Sequence, residues 1–281
     1  MIGTVVSIKY GVYSINVGGV IYNTSPTGIL KFKEKIYVGD EVFINDENYV
    51  IEQVLKRKSF LKRPAISNID QILLVFSLSE PAFSYYLALK YVTYANYNHV
   101  PCKIIITKND LGDNKTAEEI KNVFNKLNID VFFTSKNDAN SVLQVKELLK
   151  DKISVLIGQS GVGKSTLLNN IDPEFARDVG EYSFALGRGK HKTKEIILLP
   201  YENGYIADTP GFSSLELDLS VLEVAHYYPG FEKLYTNCFY SNCLHKNEKN
   251  CAALEKVKEG NIPSIVYENY LKLLKEVEEY R

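Results

Sequence analysis

The stretch ISVLIGQSGVGKSTLLNN, Ile153 to Asn170, decides the fold. It reads as a short apolar strand, a glycine-rich turn and the start of a helix. Gly158, Gly163, Lys164 and Ser165 satisfy G-x-x-x-x-G-K-[ST] in the strand–loop–helix context that a phosphate loop requires. Glycines there let backbone N–H groups turn inward onto phosphate oxygens. The pattern assigns Lys164 to the β- and γ-phosphates and the Ser165 hydroxyl to Mg²⁺. The helix that starts near Ser165 adds its N-terminal dipole. Nucleotide domains usually carry this loop near their beginning, yet here residues 68 to 152 precede it with an α/β pattern of their own.

Working upstream, DQILLVFSL is a fully apolar strand, FSYYLALKYVTYANYN a helix and CKIIITKND a second strand. TAEEIKNVFNKLN (helix), VFFTS (strand) and SVLQVKELLK (helix) continue the alternation up to the phosphate loop. Such alternation predicts a parallel sheet covered on both faces. Downstream, TKEIILLPYENGYIADTPGF reads as two strands joined by a tight turn at residues 202–204, an antiparallel edge on that sheet.

The base is read upstream of the phosphates. IIITKNDLG ends a strand with Thr107, Lys108, Asn109 and Asp110. An aspartate there accepts hydrogen bonds from guanine N1–H and N2–H₂, a donor pair that adenine lacks, and buried polar groups left unpaired discriminate strongly. The Lys108 stem lies over the purine in this reading, and Thr134, Ser135 and Lys136 of FFTSKN follow one βα unit later to touch the guanine O6. A helix-capping role is the plain alternative for Asp110. After the phosphate loop, IADTPGF offers D-x-x-G: Asp208 for Mg²⁺ through water and the Gly211 N–H for the γ-phosphate. Between them LGRGKHKTKE has the look of a switch loop, with Thr193 the candidate to complete the Mg²⁺ shell. Phe212 stands where small GTPases often place a water-orienting glutamine, so intrinsic hydrolysis is expected to be slow. The motifs thus run base, base, phosphate loop, switch I, switch II. That is a circular permutation of the usual GTPase order, tolerated because domain termini often lie close together.

The flanks differ in pattern. Residues 1–63 carry five short alternating runs, GTVVSIKY, VYSINV, VIYNTS, EVFIND and YVIEQVL, which predict a small OB-type barrel. This segment has 9 Lys/Arg against 6 Asp/Glu, and KRKSFLKR supplies much of the surplus, either as a solvated linker or as an RNA-facing patch. Tyr10, Tyr13, Tyr22 and Phe32 can stack on bases, although core packing is the commoner use of such residues. Residues 218–281 hold Cys238, Cys243, His245 and Cys251, three thiolates and an imidazole whose spacing lets a short loop wrap a tetrahedral Zn²⁺ with no open position, hence a structural ion. Cys102 reads as a small core residue, and the 20 tyrosines with no tryptophan read as compositional bias.

Bulk properties narrow the class. A net charge of −1 with 24% charged residues excludes a disordered or uniformly basic nucleic-acid binder. No apolar run approaches the roughly 18–20 residues of a membrane span. MIGTVVSIKYGVYSINV lacks the basic start and apolar core of a signal peptide, so a reducing cytoplasm and free cysteines are expected.

Taken together, RPAISNIDQILLVFS, TKND, GQSGVGKSTLLN, GRGKHKT and DTPGF resemble the small ribosomal subunit biogenesis GTPases, the ribosome small subunit-dependent GTPase A family of circularly permuted GTPases, over essentially the whole chain. The resemblance implies an OB-type barrel over 1–63, a permuted GTPase domain over 64–217 and a mostly helical zinc-binding domain over 218–281. It implies a monomer that binds GTP and GDP with Mg²⁺, acts on the 30S subunit and its 16S rRNA, and hydrolyses GTP under ribosome stimulation. It extends the nucleotide contacts to Gln159, Ser160, Gly161, Val162 and Thr166, and gives His191 the water-positioning role. The family usually shows further threonines after that histidine, whereas Lys192, Thr193 and Lys194 follow here; Gly161 replaces the asparagine with which some related GTPases hold potassium. Two other readings keep part of the pattern: a permuted GTPase of another ribosomal particle, and a nucleotide-gated RNA-binding module with negligible turnover.

Overall fold

The structure, a computed structural model, describes residues 1–175, 196–208 and 217–279. The chain clusters into two compact units. The first draws on residues 1–73, 142–157 and 164–212, the second on 74–141, 158–163 and 213–281.

In the first unit, β1 (Ile2–Lys9), β2 (Val12–Val17), β3 (Val20–Pro26), β4 (Glu41–Ile44) and β5 (Val50–Val54) close a barrel in the order β1-β2-β3-β5-β4. Antiparallel ladders join all neighbours except β3 and β5, which run parallel. Alternation sends Val5, Ile15, Val42, Ile44 and Ile51 inward to a shared core, as expected when one face of each strand is buried. The five strands fall on the five predicted runs. A short helix, α1 (Gly28–Lys33), was not legible there: Thr27 caps it by accepting from the Leu30 N–H, and Leu30 drops into the barrel core. Tyr10 and Phe32 are 94% exposed, whereas Tyr13 and Tyr22 pack against the core.

The basic run 56–63 is not a plain linker. Arg57 grips Asp40 through two bonds, Nε–Oδ1 at 2.6 Å and Nη2–Oδ2 at 2.8 Å. Asp40 is fully buried and also accepts from Ser67 Oγ (2.6 Å) and the Tyr37 N–H (2.8 Å). Lys58 pairs with Asp70 at 2.7 Å, while Phe60–Lys62 (β6) and Ala65–Ser67 (β7) form a hairpin-like pair. Replacing Asp40 with alanine is expected to lower stability by about 2–4 kcal/mol, below the range for a fully buried pair because Arg57 keeps 24% exposure. Urea unfolding followed by circular dichroism measures it, and an unchanged midpoint would refute the anchoring role.

The same unit holds β11 (Ile153–Ile157), parallel to β13 (Gly204–Asp208), and β12 (Ile197–Tyr201), antiparallel to β13 with Tyr201 opposite Gly204 across the predicted turn. Asp70 fastens the entry of β8 (Gln71–Ser77) to β11: its N–H donates to the Ile153 carbonyl at 2.9 Å and its Oδ2 accepts the Ile153 N–H at 2.8 Å. Segments 83 residues apart are thereby neighbours. In the second unit β9 (Cys102–Thr107) pairs in parallel with β10 (Val131–Phe133). β8 is buried along its whole length, as its unbroken apolar run requires.

In the second unit α2 (Tyr85–Tyr97), α6 (Val221–Tyr227) and α8 (Ser264–Glu279) pack together. Lys90, nearly buried on α2, reaches Glu276 on α8 at 2.6 Å, and Tyr86 also donates to that carboxylate. Burial raises the Glu276 carboxyl above its usual range. α3 (Asn114–Lys126), α4 (Ala139–Leu149), α5 (Lys164–Ile171) and α7 (Ala252–Lys258) complete the described helices. Among the described residues no helix is long and apolar enough to cross a membrane.

Candidate functional site

The glycine-rich turn leaves β11 at Gly158, whose position admits no side chain: a Cβ there would lie 2.2 Å from the Val75 carbonyl oxygen. Gly161 (φ +82°) and Gly163 (φ +90°) adopt left-handed backbone that glycine tolerates best, with Gln159 and Ser160 before them and Val162 between. Lys164 then opens α5, with Ser165 and Thr166 in its first turn and Leu167, Leu168 and Ile171 anchoring it by burial.

The second unit brings this loop to the upstream motif. Thr107, at the end of β9, donates its hydroxyl to the Val162 carbonyl, and its Oγ1 would sit 3.3 Å from a Cβ on Gly163. Lys108 follows with a left-handed backbone (φ +55°), and Asn109–Leu111 make a single 3₁₀ turn that carries Asp110 outward to solvent. The Asn109 N–H donates to the Thr134 carbonyl at 3.2 Å, and the Thr134 N–H donates to Ile106 O at 2.7 Å. The loop with Ser135 and Lys136 therefore begins beside the T-K-N-D turn. The Lys108 amine, which the sequence pattern left without a partner, donates to the Glu80 carbonyl. Asp208 ends β13, opposite Ile197 on one side and Leu156 on the other. His191, Thr193, Gly211 and Phe212 lie outside the described residues.

The cysteine-rich segment also assembles. The Cys238, Cys243 and Cys251 sulfurs and the His245 Nδ1 all lie within 4.8 Å of one another. His245 Nδ1 is 3.6, 3.4 and 3.2 Å from Cys238, Cys243 and Cys251, and Cys238 and Cys251 are 3.9 Å apart. A tetrahedron with metal–sulfur bonds of about 2.3 Å and metal–nitrogen bonds of about 2.0 Å has edges of roughly 3.5–3.8 Å, so the four atoms suit one ion. Desolvation pushes the Cys243 thiol up to about 12 and lowers the His245 pKa, keeping the imidazole in its neutral, ligating form.

Framework residues that the motif did not reveal hold this knuckle. Tyr270 donates to the Leu244 carbonyl (2.5 Å), and Tyr267 to the His245 and Lys246 carbonyls (3.0 and 3.1 Å). Glu248 accepts the Leu244 and Lys246 N–H groups at 2.8 and 2.7 Å. Burial alone would raise its carboxyl; these donors outweigh that and hold it below its usual range. The spacing of two tyrosines three apart on α8 was the available signal, hidden within a tyrosine-rich composition.

A phosphate loop that follows its T-K-x-D partner in the chain, yet is hydrogen-bonded to it, defines a circularly permuted P-loop GTPase. The model of the RsgA GTPase family matches residues 54–218, and the chain belongs to that family. It is 37% identical over 98% of its length to the small ribosomal subunit biogenesis GTPase RsgA of Halalkalibacterium halodurans, covering 96% of that protein. With the same-named protein of Mycoplasmopsis pulmonis identity is 38%, over 99% of this chain and all of the relative. Among solved structures, YjeQ from Thermotoga maritima superposes with a TM-score of 0.85 at 34% identity, covering 100% of this chain and 99% of that one. YloQ, a circularly permuted GTPase, superposes at 0.81 and 30% identity, covering 100% and 96%.

Proposed function

We propose that this GTPase acts on the small ribosomal subunit, assisting or checking late maturation of the 30S particle and using hydrolysis of GTP to GDP for its release. The observation that carries the reading is the Thr107–Val162 bond, which supports a single nucleotide site built from motifs in reversed order. In that site Asp110 reads the guanine edge, with Thr107, Lys108, Asn109, Ser135 and Lys136 around the base. Gly158 to Gly163 turn their N–H groups onto phosphates, Lys164 neutralises them, and Thr166 and the Gly211 N–H add contacts. The exposed Ser165 hydroxyl is a hard oxygen donor suited to Mg²⁺, joined by Thr193 and, through water, Asp208. Mg²⁺, when bound, offsets charge on the β- and γ-phosphates. His191 orients the attacking water in place of the side chain that Phe212 does not supply.

The cysteine cluster holds one structural Zn²⁺. The barrel of residues 1–63, with Tyr10 and Phe32 fully presented, faces 16S rRNA; residues 64–217 form the GTPase domain and 218–281 the zinc-binding domain. The protein works in the cytoplasm as a monomer. The relatives' shared name, small ribosomal subunit biogenesis GTPase RsgA, supports the choice of particle.

GTP turnover measured alone, with 30S and with 50S particles, tests this. Acceleration of at least about 10-fold by 30S only is expected, removed by His191→Ala as expected for a water-orienting group. Equal stimulation by 50S would move the protein to another particle, and no stimulation by either would leave a nucleotide-gated RNA binder.

A further inference from the structure

The loop between β8 and α2 bonds Lys108 and neighbours the phosphate loop, although no sequence motif marks it. We propose that its Glu80–Pro81 turn is a positioning element for the guanine nucleotide, resting on the base-site reading above. The Glu80 carbonyl accepts the Lys108 amine, and the Pro81 ring borders the phosphate loop, its Cδ 3.9 Å from where a Cβ on Gly161 would be. One turn thus bonds the residue assigned to the base and neighbours the loop assigned to the phosphates.

The turn is fixed from below. Ser77, buried at the end of β8, donates its hydroxyl to the Pro81 carbonyl at 2.6 Å. The Leu78 N–H donates to Thr107 O at 3.0 Å, and Phe83 is locked edge-on between Phe76 and Tyr85, with centroids 5.3 and 5.2 Å away. Ser79 and Ala82 border a cavity of about 410 Å³ that Leu111 and Gly112, just after Lys108, also line. The turn is bonded at two points, by the Ser77 hydroxyl at the Pro81 carbonyl and by the lysine amine at the Glu80 carbonyl. Lys108 itself has a left-handed backbone, uncommon for a lysine and sustained only where surrounding structure enforces it. A tethered amine sets the direction of the aliphatic stem before the base arrives, so less rotamer freedom is lost on binding. Ser77 acts on the nucleotide only through this chain of contacts and is a positioning residue.

The test is a double-mutant cycle of GDP and GTP affinity, by fluorescent-nucleotide titration, with thermal midpoints recorded alongside. Lys108→Met keeps the stem and removes the amine; it sits at the surface, so folding is retained. It is expected to weaken GDP by roughly 10-fold, the range for a lost charged hydrogen bond. Ser77→Ala is expected to weaken GDP by roughly 3- to 5-fold. The double variant is expected to match Lys108→Met alone, because the turn has then already lost its grip on the lysine. Fold-losses that multiply, or affinities that stay at the native level, overturn the proposal. Asp110→Asn in the same titration separates the two layers. If it abolishes guanine binding while Ser77→Ala and Lys108→Met do not weaken it, the positioning role alone falls. If Asp110→Asn also leaves guanine affinity intact, the base-site reading falls and takes this inference with it.

Discussion

Cys251→Ser protein is expected to carry less than about one-tenth of the equimolar zinc that the native chain retains through gel filtration. Three sulfurs and one imidazole nitrogen leave no spare ligand, so loss of one opens the shell and weakens the ion severely. Structural zinc contributes about 10–16 kcal/mol of apparent binding energy in small metal-dependent folds. The packing around it survives, because Tyr228, Phe231 and Tyr270 are fully buried against one another independently of the metal. Unfolding is therefore expected to stay local: fast hydrogen exchange over residues 238–251, with slow exchange kept in α8. Cys102→Ser, altering a cysteine outside the cluster, should leave zinc content unchanged. Acidification should release the metal, since its ligands must be deprotonated and burial holds the free Cys243 thiol near 12. Full zinc retention by Cys251→Ser would reduce the cluster to four buried side chains without an ion.

Asp110→Asn should exchange the base preference instead of destroying the fold. In the proposed site the aspartate accepts from both guanine donors, whereas an asparagine amide would meet the exocyclic amine with another donor. Two polar groups then face one another unpaired, and GTP affinity is expected to fall by about 10³- to 10⁴-fold. Xanthine carries a carbonyl where guanine has that amine, so xanthosine triphosphate should gain what GTP loses. Asp110 is exposed on a one-turn 3₁₀ segment, so the thermal midpoint should hardly move. Competition titration with GTP, ATP and the xanthine nucleotide measures the exchange. Unaltered GTP preference would remove Asp110 from base recognition.

Much of this architecture was legible because its signals are local. Ile72–Phe76 is an unbroken apolar run, and the whole of Gln71–Ser77 is buried. The five barrel strands and the Tyr201–Gly204 turn appeared where alternation and turn residues placed them. Within the run Lys56–Arg63, Lys56, Lys58, Lys62 and Arg63 are exposed, as its charge suggested. Arg57 instead answers a buried carboxylate 17 residues earlier, and Phe60–Lys62 joins a strand pair. Helix α1 was hidden by Pro26 and Gly28, which read as turn, because the cap at Thr27 and the burial of Leu30 are recognisable only once the barrel exists.

The order of motifs is a property of the chain itself, so the permutation, the phosphate loop, the T-K-N-D turn after a strand and the grouping of Cys238, Cys243, His245 and Cys251 were legible in the sequence. What the tertiary structure decided is which distant groups meet: Thr107 with Val162, Lys108 with Glu80, Asp40 with Arg57, Lys90 with Glu276 across 186 residues. Periodicity and turn chemistry act between near neighbours and leave a readable trace. A hydrogen bond between remote residues leaves none, because many donors and acceptors are chemically equivalent until packing brings one pair within reach.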